Sequence, residues 1–294
     1  MARLGRPLPK SDRTYDSRRA PEVQAIPAWL PPGGPLGRLV TAAASRAEAL
    51  VDRRRELERA CATLDAPPDF RAALQRSDVA VVAELKRRSP SRGALNIDIQ
   101  TGMRSRAYVA GGAAALSILT EPDEFGGSTD DLADAAAAVR VPCLKKDFHV
   151  SPLQMLEARA LGASAVLLIA RAVDPSALAL LAQAARDAGV EPLIEVRDER
   201  ELDSALEAGA SVIGINARDL ETLVIDTAVV DRLLPLVPRA VVAIAESGIR
   251  SRADVERCAS RGADAVLVGS VLSIAHDAAE AVAALTGVER QRRQ

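Results

Sequence analysis

The chain has 294 residues, enough for two domains of ~150 residues or one large α/β domain of roughly 250 residues with an extension. Its 38 Lys and Arg against 40 Asp and Glu give a net charge of −2, which leaves no basic field to recruit nucleic acid or an anionic membrane. A hydrophobic fraction of 48% with 27% charged residues is that of a globular protein and excludes a disordered or fibrous chain.

Residues 1–35 hold seven of the 17 prolines, six basic side chains and three acidic ones. Proline removes backbone donors and blocks helix interiors, so this stretch is expected to be a flexible, mildly basic extension. From Leu36 to Leu64 apolar residues recur near 3.6 spacing (Leu36, Leu39, Val40, Ala43, Ala47, Leu50, Leu57, Cys61), which predicts a helix ahead of the main fold. Short β-rich runs then alternate with longer Ala-rich helical runs. The predicted strands are Val79–Lys86, Ala114–Leu119, Pro142–Lys146, Ala165–Ile169, Pro192–Val196, Val212–Ile215, Ala240–Ala245 and Ala265–Val268. Helical stretches fall between them near Ile99–Gly111, Thr129–Val139, Pro152–Leu161, Pro175–Gly189, Glu199–Ala208, Asp226–Leu236 and Arg252–Arg261, with a last helix after Val271.

A Gly-Ala pair followed by a buried strand recurs at Gly112, Gly162, Gly209 and Gly262, roughly every 50 residues, so each interval holds two strand–helix units. Glycine there can end a helix in the left-handed conformation and turn the chain into the next strand. Eight such units predict an α/β fold of the (βα)8 TIM-barrel class with an extra N-terminal helix over 36–64, the catalytic domain spanning 36–294. An open doubly wound sheet fits less well, because no G-x-G-x-x-G follows the first strand. Cys61, Cys143 and Cys258 are widely separated and form no C-x-x-C pair, which excludes a disulfide framework or zinc ribbon and suits a reducing compartment. No run of 18 apolar residues occurs and the first residues lack a signal-peptide pattern, so the cytoplasm is the expected location.

In a barrel the chemistry collects at the C-terminal strand ends. Here those ends carry Glu84-Leu85-Lys86, Lys145-Lys146-Asp147, Glu195, Asn216-Ala217-Arg218 and Glu246-Ser247-Gly248. Alternation puts Glu84 and Lys86 on one face and Leu85 on the other. Any one such charge reads most simply as a solvated strand end or structural ion pair; acids and bases at five strand ends argue for a site whose groups shift one another's proton affinity. Lys145 and Lys146 face opposite ways, and which enters the mouth is open. Ser247-Gly248 and Gly269-Ser270 follow the seventh and eighth strands, where barrels commonly bind phosphate through backbone N–H groups. Phe125 and Phe148 follow the second and third strands and could wall a planar substrate. With only two histidines a His-rich metal site is unavailable; His149 reads as a surface-loop residue and His276 as structural.

The segments Val82-Ala-Glu-Leu-Lys-Arg-Arg-Ser-Pro-Ser-Arg-Gly93, Leu119-Thr-Glu-Pro-Asp-Glu-Phe-Gly-Gly-Ser128, Leu144-Lys-Lys-Asp-Phe148, Ile213-Gly-Ile-Asn-Ala-Arg-Asp-Leu220 and Ala245-Glu-Ser-Gly-Ile249 together resemble the indole-3-glycerol phosphate synthase family. The likeness runs from about Leu36 to the last barrel helix. It implies a carbon-carbon lyase of tryptophan biosynthesis that converts 1-(2-carboxyphenylamino)-1-deoxyribulose 5-phosphate into indole-3-glycerol phosphate, CO2 and water, without metal or organic cofactor. It implies Lys146 as general acid, Glu195 as acid/base for dehydration, Glu84 as an aid to proton transfer and Lys86 as a holder of anionic groups. Asn216 and Ser89 would orient the substrate, Glu246 would contact sugar hydroxyls, and Arg218 and Leu220 would belong to the mouth. Ser247, Gly248, Gly269 and Ser270 would cradle phosphate, and Phe125 and Phe148 would flank the anthranilate ring. Departures are Ala217, where Asn or Ser is expected, and His149, where the family usually has an aliphatic residue.

Two other readings compete. A phosphosugar isomerase of the same fold would not need Lys86, Lys146 and Glu195 together. A catalytically silent phosphosugar-binding barrel with a regulatory or scaffolding role would have lost acids or bases that are all present here. The expected partner is a phosphorylated small molecule, with neither nucleic acid nor membrane; a monomer, and contact with other tryptophan-pathway enzymes, both stay open.

Overall fold

The computed structural model describes residues 33–91 and 93–293. Most of the proline-rich extension, residues 1–32, lies outside the described residues.

The eight predicted strands form, in chain order, β1 (Ala80–Leu85), β2 (Ala115–Leu119), β3 (Cys143–Lys146), β4 (Ala165–Ile169), β5 (Glu191–Val196), β6 (Val212–Asn216), β7 (Val242–Glu246) and β8 (Ala265–Val268). All neighbours pair parallel, and β1 closes on β8, so the sheet is a closed eight-stranded barrel. Every strand except the end of β3 is buried throughout, as expected where helices cover one face and the interior fills the other.

Helices alternate with the strands: α4 (Thr101–Ala110), α5 (Thr129–Ala138), α6 (Pro152–Ala160), α7 (Pro175–Asp187), α8 (Glu199–Glu207), α9 (Ala228–Leu233) and α10 (Arg252–Ser260). Several start on side-chain caps at Ser128, Ser151, Asp174, Asp198 and Ser251, which satisfy the free N–H groups of the first turn. The four repeat glycines, Gly112, Gly162, Gly209 and Gly262, have φ of 97, 88, 75 and 88°, the left-handed exit that the repeat anticipates. The last helix resolves into two short ones, α11 (Ser270–Ser273) and α12 (Ala278–Ala283), and His276 is exposed in the bend between them rather than helical.

The N-terminal helix departs from expectation. It divides into α1 (Gly34–Glu48) and α2 (Arg54–Thr63), followed by a short α3 (Phe70–Leu74). A straight helix over 36–64 would run roughly 43 Å. The apolar stripe of α1 ends at Leu50; Val51 is 60% exposed and Arg54 occupies the next core-facing position, so nothing is buried by continuing straight. The chain turns instead, and α2 packs on α6, where the Cys61 thiol points to the Leu156 carbonyl at 3.4 Å. Also unanticipated is a hairpin, Arg88–Ser89 with Gly93–Ala94, in the loop after β1. Among the described residues no helix is long and apolar enough to cross a membrane.

Candidate active site

At the C-terminal end of the strands lies a cavity of about 360 Å³. Every residue proposed from sequence lines it except Ser89. Ser89 is buried in the hairpin and lines an adjoining cavity of about 490 Å³, which shares Lys86, Phe125, Phe148, Arg218 and Leu220 with the first. The hairpin fold of that loop, absent from the sequence pattern, moves it off the strand-end ring.

Strand alternation places the charges. Lys86 Nζ donates to Glu84 Oε1 at 2.6 Å, while Leu85 between them is buried outside the cavity lining. On β3 the open choice between neighbouring lysines is decided: Lys146 Nζ lies 3.4 Å from Glu195 Oε2 and 3.3 Å from Glu246 Oε2, within the mouth. Lys145 points away, 3.4 Å from Asp147 Oδ2 and 3.3 Å from Glu157 Oε2. Burial by itself would favour loss of the Lys146 proton, but the charges of Glu246, Glu195 and Glu84 outweigh it and hold the ammonium above the usual lysine range. Glu246 is pushed up to about 7, first by burial and then by repulsion from Glu195 and Glu84, against the pull of Lys146. The mouth thus contains a firmly protonated cation beside a carboxyl that titrates near neutrality.

Two glycines make room for this cluster. A Cβ on Gly214, in the middle of β6, would collide with Glu246 Oε1, and one on Gly269 would collide with Glu84 Oε1. Gly214 was not singled out from sequence; a glycine inside a strand is the signal that could have found it. Asn216 Oδ1 accepts from the Arg218 N–H at 2.9 Å, and the Arg218 guanidinium donates to the Leu223 carbonyl at 2.9 Å, which folds the loop after β6 back on itself. Ser247 has φ of 66° and Gly248 φ of 80°; two successive left-handed residues turn backbone N–H groups after β7, and a non-glycine in that region marks a turn held for a purpose. Gly269 is the N-cap of α11, with Ser270 as its first residue, and both line the same cavity as Ser247 and Gly248.

Three residues matter that the site reading overlooked. Glu121 is fully buried and accepts N–H groups from Asp123, Glu124 and Phe125 at 2.8–3.0 Å, so it shapes the loop that carries Phe125. Asp147, between Lys146 and Phe148, accepts from Arg46 at 2.8 Å, Thr120 at 2.7 Å and the Phe148 N–H at 2.8 Å. Burial would raise its pKa, but the nearby cations, led by Lys145, hold it down to about 2. It ties α1 to the start of the loop after β3. Arg250, exposed at the rim, also lines the cavity.

His149 corrects the sequence expectation of a surface loop. It is 4% exposed, its Nδ1 lies 2.7 Å from the Leu167 carbonyl, and burial, with Lys145 nearby, pushes its pKa down to about 3. The reason is the loop's own bonding: Gln154 donates to the Phe148 carbonyl and accepts from the Val150 N–H, turning the intervening side chain inward. Ala217 is likewise fully buried.

A family model described as indole-3-glycerol phosphate synthase matches residues 36–285. The chain is 48% identical over 220 residues to the indole-3-glycerol phosphate synthase of Mycolicibacterium vanbaalenii, covering 75% of this chain and 81% of the relative. It is 46% identical over 249 residues to indole-3-glycerol phosphate synthase 2 of Streptomyces coelicolor, covering 83% and 96%. Among solved structures, 3-hexulose-6-phosphate synthase from Salmonella typhimurium superposes with a TM-score of 0.57 over 70% of this chain and 96% of that one; at 16% identity it speaks for the barrel fold alone. A family match over most of the chain, with relatives near half identical across the same barrel, leads to one conclusion: the chain belongs to the indole-3-glycerol phosphate synthase family.

Proposed function

We propose that the cavity at the barrel mouth closes the indole ring of 1-(2-carboxyphenylamino)-1-deoxyribulose 5-phosphate, with Lys146 as the proton donor. The observation that carries this reading is the Lys146 ammonium, kept charged between Glu195 and Glu246 where little water reaches. The ring carbon that bears the carboxylate attacks the ketose carbonyl, and Lys146 protonates the oxygen as its charge develops. A preorganised cation in a low-dielectric site stabilises that charge far more than water can. The carboxylate then leaves as CO2, returning its bonding electrons to the ring, so the substrate acts as its own electron sink. Glu195 takes the proton from the carbon beside the nitrogen and, as acid, returns a proton to the new hydroxyl, which departs as water while the ring double bond forms; Glu84 assists that proton transfer. Each positioned donor or acceptor of this kind is worth about 10²–10⁴ in rate.

The remaining residues bind. Lys86, poised on Glu84, holds the substrate carboxylate, and Arg218 supports the catalytic groups at the mouth; Phe125 and Phe148 flank the aromatic ring, with Leu220 at the lip. Asn216 orients the chain, Ser89 closes the adjoining cavity over the ring end, and Glu246 meets the sugar hydroxyls. Backbone N–H groups of Ser247-Gly248 and Gly269-Ser270 receive the phosphate.

A fluorescence time course of the purified protein with this substrate, in the presence of a chelator, tests the reading. Indole product over tens of turnovers is expected; saturable binding without product would overturn the catalytic reading in favour of a silent phosphosugar-binding barrel.

A further inference from the structure

The charges lining the mouth are Glu84, Asp147, Glu195 and Glu246 against Lys86, Lys146, Arg218 and Arg250. Most of the cations are already engaged. Lys86 is bonded to Glu84, Lys146 lies between Glu195 and Glu246, and Arg218 donates to a backbone carbonyl. Arg250 differs. Among the described residues its guanidinium makes no hydrogen bond or ion pair, although its backbone is pinned, the N–H donating to Asp254 Oδ2 at 2.9 Å at the start of α10. It lies two residues after Gly248 and lines the same cavity as Gly248, Gly269 and Ser270.

Resting on the ring-closure reading above, we propose that Arg250 is the side-chain cation that binds the substrate phosphate. The backbone turns at Gly248 and Gly269 supply neutral donors, and no other cation lining the cavity is without a partner to meet a dianion there. Lys86 and Lys146 are shared with carboxylates of the same mouth, which weakens their pull on an incoming phosphate. An unengaged guanidinium at the rim, with a planar fork that fits phosphate oxygens, draws the anionic end in first and completes the cradle. In this proposal the phosphate grip is uniform between ground and transition states, so its loss shows in KM and not in kcat.

The test uses Arg250→Gln and Arg250→Lys in the full chain, with thermal melts to verify folding. In Arg250→Gln, KM is expected to rise about tenfold with kcat within about twofold, the strength of one charge-assisted contact. Calorimetric affinity for inorganic phosphate falls in parallel, and Arg250→Lys recovers part of it. The dependence of kcat/KM on NaCl between about 20 and about 300 mM flattens in Arg250→Gln, a readout that a merely structural role would not move. Unchanged KM and phosphate affinity, or a fall in kcat with KM held, would overturn the assignment. Should the wild-type chain form no indole product yet bind phosphate more tightly than Arg250→Gln, the ring-closure reading fails while Arg250 stands as a phosphate ligand.

Discussion

The two ends of this barrel both bury charge, and they treat it in opposite ways. At the N-terminal end of the strands, Arg293 reaches in from the C-terminal tail. It donates to the carbonyls of Val237, Gly262 and Val241 at 3.1, 2.5 and 2.6 Å and to Asp264 at 2.8 Å. Asp264 in turn accepts from the Ala243 N–H and pairs with Arg290, both at 2.8 Å. The same tail pairs with the entry to β1, Val79 N–H donating to the Val288 carbonyl at 2.8 Å. At the other end, Lys146 meets its two carboxylates only at 3.3 and 3.4 Å, and Glu246 Oε1 has no hydrogen-bond partner among the described residues. A buried charge tied by several short hydrogen bonds resists any change of state. One held by long contacts among like charges can give up or accept a proton when a substrate arrives. The floor is built to hold the fold, the mouth to react.

Breaking the mouth should give the largest effect. Lys146→Met keeps length but removes proton and charge, and is expected to lower kcat at least 100-fold, taking ~100 as the lower end for a positioned acid, with substrate still bound. Loss of the cation leaves Glu195 and Glu246 facing each other, so Glu246 is expected to take up a proton and stability to fall by about 1–2 kcal/mol, as melts would verify. Near-normal turnover would remove Lys146 from the chemistry. Breaking the floor should do the reverse. Arg293→Ala leaves three buried carbonyls and part of Asp264 unsatisfied, and is expected to cost about 3 kcal/mol in denaturant unfolding while the kcat of the folded fraction stays within about twofold. A large loss of kcat without loss of stability would show that the ends are not separable.

The smallest effect sharpens the contrast on the outer side of β3. His149 is held neutral with a pKa pushed from 6.5 to about 3, so the folded state binds fewer protons than the unfolded chain between those values. Stability should therefore fall as pH drops from 6.5 toward 3, by ~2 kcal/mol at pH 5. His149→Asn, which keeps a donor for the Leu167 carbonyl, should flatten that fall in urea midpoints measured against pH. An unchanged slope would mean that other groups carry it.

Much of the fold was legible because its signals are local. Strand and helix periods, caps and the Gly-Ala turns each depend on a few neighbouring residues, and the eight strands appear within a residue or two of where the pattern puts them. The helix over 36–64 failed because continuation depends on what the barrel wall offers beyond Leu50, not on spacing. The strand-end residues converge for the same local reason, since alternation and parallel closure carry every strand end to one rim. Ser89, Glu121 and Asp147 depend on how loops fold back, which no period encodes.

What the sequence determined by itself was the eightfold alternation, which strand ends carry acids and bases, and the motifs that mark the family. What only the tertiary structure decided was which of two adjacent lysines faces the mouth, that His149 is buried and neutral, and that Arg250 is left unengaged in the cavity that the turn after β7 lines. The physical reason is that side-chain alternation leaves two equal choices until strand register selects one, and a residue's charge state depends on neighbours far away in the chain.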